Sequence, residues 1–470
     1  MTEKFEFTAS IKKALFWMMG AGLVGLLFVF LMYPENKHAR FWSNLIVNTY
    51  YFTGIGLFGL FIVAATQLAY GGWQTLMKRI FLSLSAFAAI GGFLLLAIVL
   101  LGFGHVHSLY DHVMHILHSG AGNPKYSTKL IYFAPAFWIG RLVAYAVLWY
   151  TFSKVMNNFF GKPDQTNPLT YKRSKLLSAA FIVVFAVTES AVSWDIVMSM
   201  DPHWYSTLFG WYNFASYGCA SWAMSILLII FLKSQGYLKK VNENHIHDLG
   251  KMLFGFSIFW TYLWFDQFML QWYANIPEDT NFWVKRFDVG YFKFTVFVAL
   301  IINFVFPLLV LIKRSAKRNF RLIAFSAGLL IVGHYIDFFN YTFVEPNWNA
   351  AASEHHGGGH EAVKATNETV LYAEATAEHG TSDAATVEHT AAAETAKPAE
   401  HSETTSHGAE SHHAEVEKTF AGIGLGEILV FIGFLGVFLY MFFNNLAKRP
   451  LTPESDPYLK ESEKLTVTYA

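Results

Sequence analysis

The stretch Arg79–Gly102, RIFLSLSAFAAIGGFLLLAIVLLG, holds one charge at its edge and then 23 residues without another. A bilayer core about 30 Å thick is crossed by roughly 20 apolar residues of helix, so this run predicts a membrane span. Nine further runs have the same character: 14–33, 44–69, 129–153, 176–199, 206–232, 250–273, 289–312, 320–343 and 421–444. None shows the alternation of a β-barrel strand. The first lacks the short apolar core and small-residue cleavage site of a secretory signal, so it reads as a retained anchor. Composition agrees: of 470 residues, 54% are apolar and 14% charged, against about 25% charged in soluble proteins. The expectation is an all-α membrane protein with ten transmembrane helices.

Lys and Arg give the orientation. The N-terminal tail and the segments after spans 2, 4, 6, 8 and 10 hold 23 of the 34, and the segments after the odd-numbered spans hold 10. The positive-inside rule then places both termini in the cytoplasm. Four regions follow: a membrane domain over 1–343, an extracytoplasmic linker over 344–420, the tenth span at 421–444 and a cytoplasmic tail over 445–470. Residues 349–418 carry nine of the 19 histidines and thirteen acids against three lysines, with few large apolar side chains. Such a composition predicts disorder, as a solvated tether or as a metal-collecting or cytochrome-attracting tract.

Net charge is zero, which excludes an electrostatic preference for nucleic acid. The single Cys219 supplies neither a disulfide nor the thiolates of an iron–sulfur cluster. His334 is the one histidine well inside a span, so bis-histidine haem ligation is not expected. No phosphate-binding loop or dinucleotide fingerprint follows a strand. His105, His107, His112, His115 and His118 follow span 3; three of them share a helical face and could hold zinc or copper, but beyond Asp111 no acidic or thiolate partner completes a coordination set, and an interfacial amphipathic helix is the preferred reading.

An ionisable group at mid-bilayer costs roughly 2.5–3.5 kcal/mol even on the lenient insertion scale, so each needs a reason. The candidates are Arg141, Glu189, Asp195, Asp266, His334, Asp337 and Glu427. With the orientation above and 1.5 Å of rise per residue, most fall in the outer half, and the inner half is nearly hydrocarbon. Arg141 is expected near the middle of its span at the depth of Glu189. The pair would either pin two helices or form part of an outer proton half-pathway. His334 and Asp337, three apart, share a helix face, where they could pass protons, bind a quinol hydroxyl or simply be buried and satisfied. The tetrads DPHW at 201–204 and EPNW at 345–348 end spans four apart, hinting at two related four-helix units, spans 2–5 and 6–9.

The stretches TESAVSWDIVMSMDPHWYSTLFGWYNF (188–214) and LGKMLFGFSIFWTYLWFDQFMLQWYANIPEDTNFW (249–283) resemble the integral membrane subunits of alternative complex III, a bacterial quinol:cytochrome c oxidoreductase. They are most similar to the second of its two polysulfide-reductase-like (NrfD-like) chains, and the resemblance covers all ten spans. It implies two four-helix bundles plus two peripheral helices, in a bacterial inner (cytoplasmic) membrane. It also implies the partners: a multihaem cytochrome c, an iron–sulfur subunit, a monohaem cytochrome c and a sister membrane subunit. Haem c and iron–sulfur clusters would sit in those partners, this chain having no cofactor of its own beyond a possible quinol. The chain would be a structural subunit able to conduct protons through outer-half carboxylates; Glu189, Asp195 and Asp266 lie within the matching stretches. The alternatives are a quinol-binding catalytic subunit of a polysulfide- or nitrite-reductase-type complex and, further off, a secondary transporter.

Overall fold

The computed structural model describes residues 3–101, 131–161, 167–201, 204–288, 290–356, 422–452 and 456–465. The histidine-rich segment after Leu101 and most of the 344–420 linker lie outside the described residues, as do Pro202 and His203. Two compact units are distinguished, Met1–Pro346 with Gly422–Ala470, and Asn347–Ala421.

Among the described residues the secondary structure is helical, without strands. The helices are α1 (Ala9–Met32), α2 (Glu35–Leu68), α3 (Lys78–Leu101), α4 (Pro135–Phe160), α5 (Pro168–Val192), α6 (Leu208–Ser234), α7 (Glu243–Ala274), α8 (Pro277–Asp288), α9 (Gly290–Leu300), α10 (Phe306–Leu311), α11 (Arg314–Arg318), α12 (Phe320–His356), α13 (Leu425–Leu446) and α14 (Leu459–Glu463). Among the described residues, eight segments are long and apolar enough to cross a membrane: α1, α2 from His38, α3 with the turn before it, α5 on to Met200, α6, the Tyr291–Leu311 segment, α12 to Val344, and α13. The other two expected spans lie on α4 and α7, helices of 26 and 32 residues. They are less apolar because Tyr, Trp, Asn and Lys interrupt their hydrocarbon.

Helix ends follow local chemistry. Pro135 and Pro168 occupy first-turn positions, where a missing N–H costs nothing, and Asn167 caps α5 by accepting from Leu169 N at 2.9 Å. Asn242 caps α7 and its Oδ1 accepts from the backbone of Asn244 and His245. Asn275 ends α7 in the left-handed region at φ 49°. Two helices continue through single π turns rather than breaking: Ser193–Val197 beyond α5, and Ile301–Val305 between α9 and α10.

α2 is the central helix, buried along nearly its whole membrane-length segment. It packs on α3, α5, α6 and α13, and its Tyr51 hydroxyl donates to Ile331 O of α12 at 2.8 Å. α1 and α13 pair with one another through a glycine stripe. A Cβ on Gly22 would clash with the Gly433 backbone, and one on Gly25 would lie 2.6 Å from Leu429 Cβ. Close backbone approach of this kind is how small residues associate helices in lipid. Gly22→Leu should therefore separate α1 from α13 and lower the melting temperature in detergent by several degrees, whereas Gly20→Leu, which meets open space, should not. Equal melting of both variants would contradict this packing.

The C-terminal segment closes over one end of the helices. Lys78 pairs with Asp456 at 2.9 Å, both buried, and the Tyr171 and Tyr458 hydroxyls are 2.9 Å apart. Ser462 Oγ donates to Trp73 O at 2.8 Å, accepts from Leu76 N at 3.3 Å, and lies 3.3 Å from His245 Nε2. Burial pushes the His245 imidazole below its ordinary pKa of 6.5, an effect to which Lys233 adds, and which Ser462 and Asp248 only partly oppose. The folded chain thus favours neutral His245. Its stabilisation is complete above the unfolded pKa and is lost as pH falls below about 6.5. Proteolytic release of residues 456–465 should be faster at pH 5.5 than at 7.5, and the difference should shrink in His245→Gln.

Candidate functional site

Among the described residues, three buried polar clusters hold the ionisable groups Arg141, Asp195, Glu189, His334 and Asp337. The first joins α4 to the π turn after α5. Arg141 Nε and Nη2 donate to Asp195 Oδ2 and Oδ1 at 3.0 and 2.7 Å, a two-pronged pair, and the Tyr145 hydroxyl donates to Oδ2 at 2.9 Å. Arg141 Nη1 donates to Tyr132 O at 2.7 Å, and its guanidinium lies 3.8 Å from the centre of the Tyr132 ring. Asp195 is wholly buried. Asp195 stands within the π turn Ser193–Val197, a bulge of the kind often found in functional regions.

The expected pairing of Arg141 with Glu189 is therefore corrected: Arg141 binds Asp195. The cause lies in where α4 begins. Pro135 starts the helix six residues later than hydropathy suggests, so Arg141 stands less than two turns from the helix start rather than near its middle. That lifts it to the level of Asp195, one and a half turns beyond Glu189.

Glu189 forms a second cluster with Tyr217 of α6 and its own neighbour Ser190 on α5. The Tyr217 hydroxyl donates to Glu189 Oε1, and Ser190 Oγ donates to Oε2 at 3.4 Å. The Tyr217 ring stacks on Phe338 at 6.2 Å and presses against Gly54, where a Cβ would come within 2.5 Å of it. Gly54 is thus the position on α2 that lets Tyr217 reach the carboxylate.

The third cluster is built on α12. Asp337 accepts from the Tyr212 hydroxyl through Oδ1, and from Trp260 Nε1 at 3.1 Å and Ser216 Oγ at 3.3 Å through Oδ2. Ser216 Oγ lies 2.9 Å from His334 Nδ1, and the Trp260 ring meets the imidazole edge-on at 5.3 Å. One hydroxyl proton serves Ser216. The polarity that satisfies every partner has His334 Nδ1–H donating to Ser216, and Ser216 donating to Asp337. Nε2 of His334 is then a bare acceptor, wholly buried and without a hydrogen-bond partner. The cluster is a chain of exchangeable protons between an imidazole and a carboxylate, drawn from α6, α7 and α12.

His334 and Asp337 are thus brought together, through Ser216 rather than directly. Asp266 joins none of these clusters. It is half-buried on α7, without a hydrogen bond or ion pair among the described residues, next to the exposed Phe265 and near the exposed Tyr262 and Met269. Glu427 lies at the first turn of α13, where it accepts from Gly424 N at 2.9 Å and pairs with Arg40 at 2.6 Å. A carboxylate there also complements the helix dipole. Asp201 of the first tetrad accepts from Trp204 N at 3.3 Å and faces Lys285 at 3.6 Å. The side chains of the second tetrad lie outside the described residues.

A charge-based reading passed over Tyr145, Tyr212, Ser216, Tyr217 and Trp260, all neutral. The usable signal was the density of Tyr, Trp and Ser at helical spacing in 212–217 and 257–264. No group of three or more His, Cys, Asp or Glu side chains is gathered as a metal site among the described residues.

Fold and clusters together define an all-helical chain with membrane-length helices and buried acid–hydroxyl–imidazole groups. No protein-family model matches the chain, and no curated protein matches it.

Proposed function

We propose that the chain is a cofactor-free integral membrane subunit of a bacterial quinol:cytochrome c oxidoreductase of the alternative complex III type, crossing the bilayer ten times, structural and proton-conducting. The observation that carries the proton role is the Asp337–Ser216–His334 chain, capped by Tyr212 and Trp260 and buried among apolar helices. A neutral hydroxyl between two ionisable groups relays a proton by accepting one, releasing its own and then reorienting, so the charge crosses hydrocarbon along hydrogen bonds and no side chain has to move through it. The resemblance to that complex supports the setting, since both matching stretches supply cluster residues: Glu189, Asp195 and Tyr212 from the first, Trp260 from the second. In this reading haem c and iron–sulfur clusters belong to the partner cytochromes and iron–sulfur subunit, and a sister membrane subunit lies alongside.

A second reading, quinol binding, is favoured by one observation: Nε2 of His334 has no partner and could accept from a quinol hydroxyl. The deciding experiment is purification in mild detergent followed by photolabelling with an azido-quinone. Co-elution with haem-bearing subunits and no label on α12 supports the structural, proton-conducting role. Label at His334 supports the catalytic one. A chain that elutes alone sinks both.

A further inference from the structure

The first half of α2 holds a polar ladder that belongs to none of the three clusters. Asn44 and Asn48 of α2 are wholly buried and one turn apart. Each Nδ2 donates to the carbonyl four residues earlier, Asn44 to Arg40 O at 2.9 Å and Asn48 to Asn44 O at 2.9 Å. These bonds fix the sense of both amides, because a flipped amide would set oxygen against carbonyl oxygen. Both Oδ1 atoms therefore turn away from the helix backbone, and neither has a hydrogen-bond partner.

The ladder has defined ends. At one, Arg40 Nε donates to Glu427 Oε1 at 2.6 Å and Nη2 donates to Gly422 O at 2.6 Å, with Asn44 Nδ2 3.5 Å from the same Glu427 oxygen. At the other, Asn48 Nδ2 donates to the Tyr335 hydroxyl at 3.1 Å, one residue along α12 from His334. Eight residues of helix separate Arg40 from Asn48, about 12 Å.

A buried acceptor left without a donor loses its hydration uncompensated, and native proteins seldom leave two together. The group that satisfies neighbouring acceptors with no protein donor in reach is water, which needs two to four polar partners. We infer that α2 lines a water-filled seam running from the Arg40–Glu427 ion pair to Tyr335. The seam reaches the neighbour of His334 from the rim at which α13 begins. Its use in delivering protons to His334 rests on the proposed function, whereas its hydration does not.

Radiolytic hydroxyl-radical footprinting of the intact chain in ¹⁸O water tests the hydration without any substitution. Tyr335 should be labelled at least tenfold faster than Phe52 or Phe87, which are buried in aromatic contacts. Labelling of Tyr335 as slow as that of Phe52 would overturn the seam. Cysteine accessibility gives an independent reading, because the one native cysteine, Cys219, is buried. Asn44→Cys and Asn48→Cys should react with a small methanethiosulfonate, and Ile46→Cys, on another face at similar depth, should not. Equal reaction at all three positions, or none at any, contradicts the seam. Asn48→Leu then separates the two claims: slower Tyr335 labelling with unchanged proton release keeps the hydration and removes the delivery role.

Discussion

Arg141→Met should be among the most destabilising single substitutions in this chain. It would leave the Asp195 carboxylate wholly buried, with only the Tyr145 hydroxyl donating to it. Removing one partner of a buried ion pair typically costs about 3–5 kcal/mol, because the surviving charge has lost its compensation. Replacing both partners by apolar residues of similar volume is often near neutral. The double variant Arg141→Met/Asp195→Leu should therefore recover most of the loss. Thermal unfolding in detergent measures both, and a single variant as stable as the parent would show that the pair bears little of the α4–α5 contact. Asp195→Asn should fall between, since an amide still accepts from Arg141 but carries no charge.

The second large effect is expected at Asp337. Asp337→Leu strands three donors, Tyr212, Trp260 and Ser216, in a dry environment, at about 1–3 kcal/mol each. That variant should fail to assemble or unfold early. Asp337→Asn keeps the volume and most of the acceptor geometry but cannot take up and release a proton. Under the proposed function it should assemble normally and lose turnover-linked proton movement by a hundredfold or more, the lower range of a general acid–base contribution. Proton release into a weakly buffered vesicle suspension at matched turnover is the measurement. Normal release from Asp337→Asn removes the cluster from the pathway. Asp266→Asn, by contrast, alters a side chain outside the three clusters, and its proton release should stay close to that of the parent.

Much of the helical layout was legible because solvent transfer acts on long runs of side chains and leaves a strong average. The span at 79–102 coincides with α3, Lys78–Leu101, to within one residue. The fourth span was misplaced by six residues at its start, because hydropathy averages over Pro135 whereas helix initiation responds to that single residue. The consequence was chemical: a six-residue displacement moved Arg141 from Glu189 to Asp195. A π turn has no comparable compositional mark, so the one that carries Asp195 was equally invisible.

The ionisable half of each cluster could be found by asking which charged groups stand in hydrocarbon. The neutral half could not, since Tyr212, Ser216, Tyr217 and Trp260 are ordinary residues in an aromatic-rich sequence. Asn44 and Asn48 show the same limit: at a spacing of four they could equally have faced outward.

The amino-acid sequence by itself determined that the chain is helical, where its membrane-length runs lie, and which few ionisable groups stand within them, because each depends on the transfer free energy of residues summed along one axis. Only the tertiary structure decided the partners: Arg141 with Asp195, Glu189 with Tyr217, Asp337 with Tyr212, Trp260 and Ser216. Hydrogen bonds depend on helix rotation and register, and a shift of one residue turns a side chain by about 100°. No one-dimensional average retains that angle.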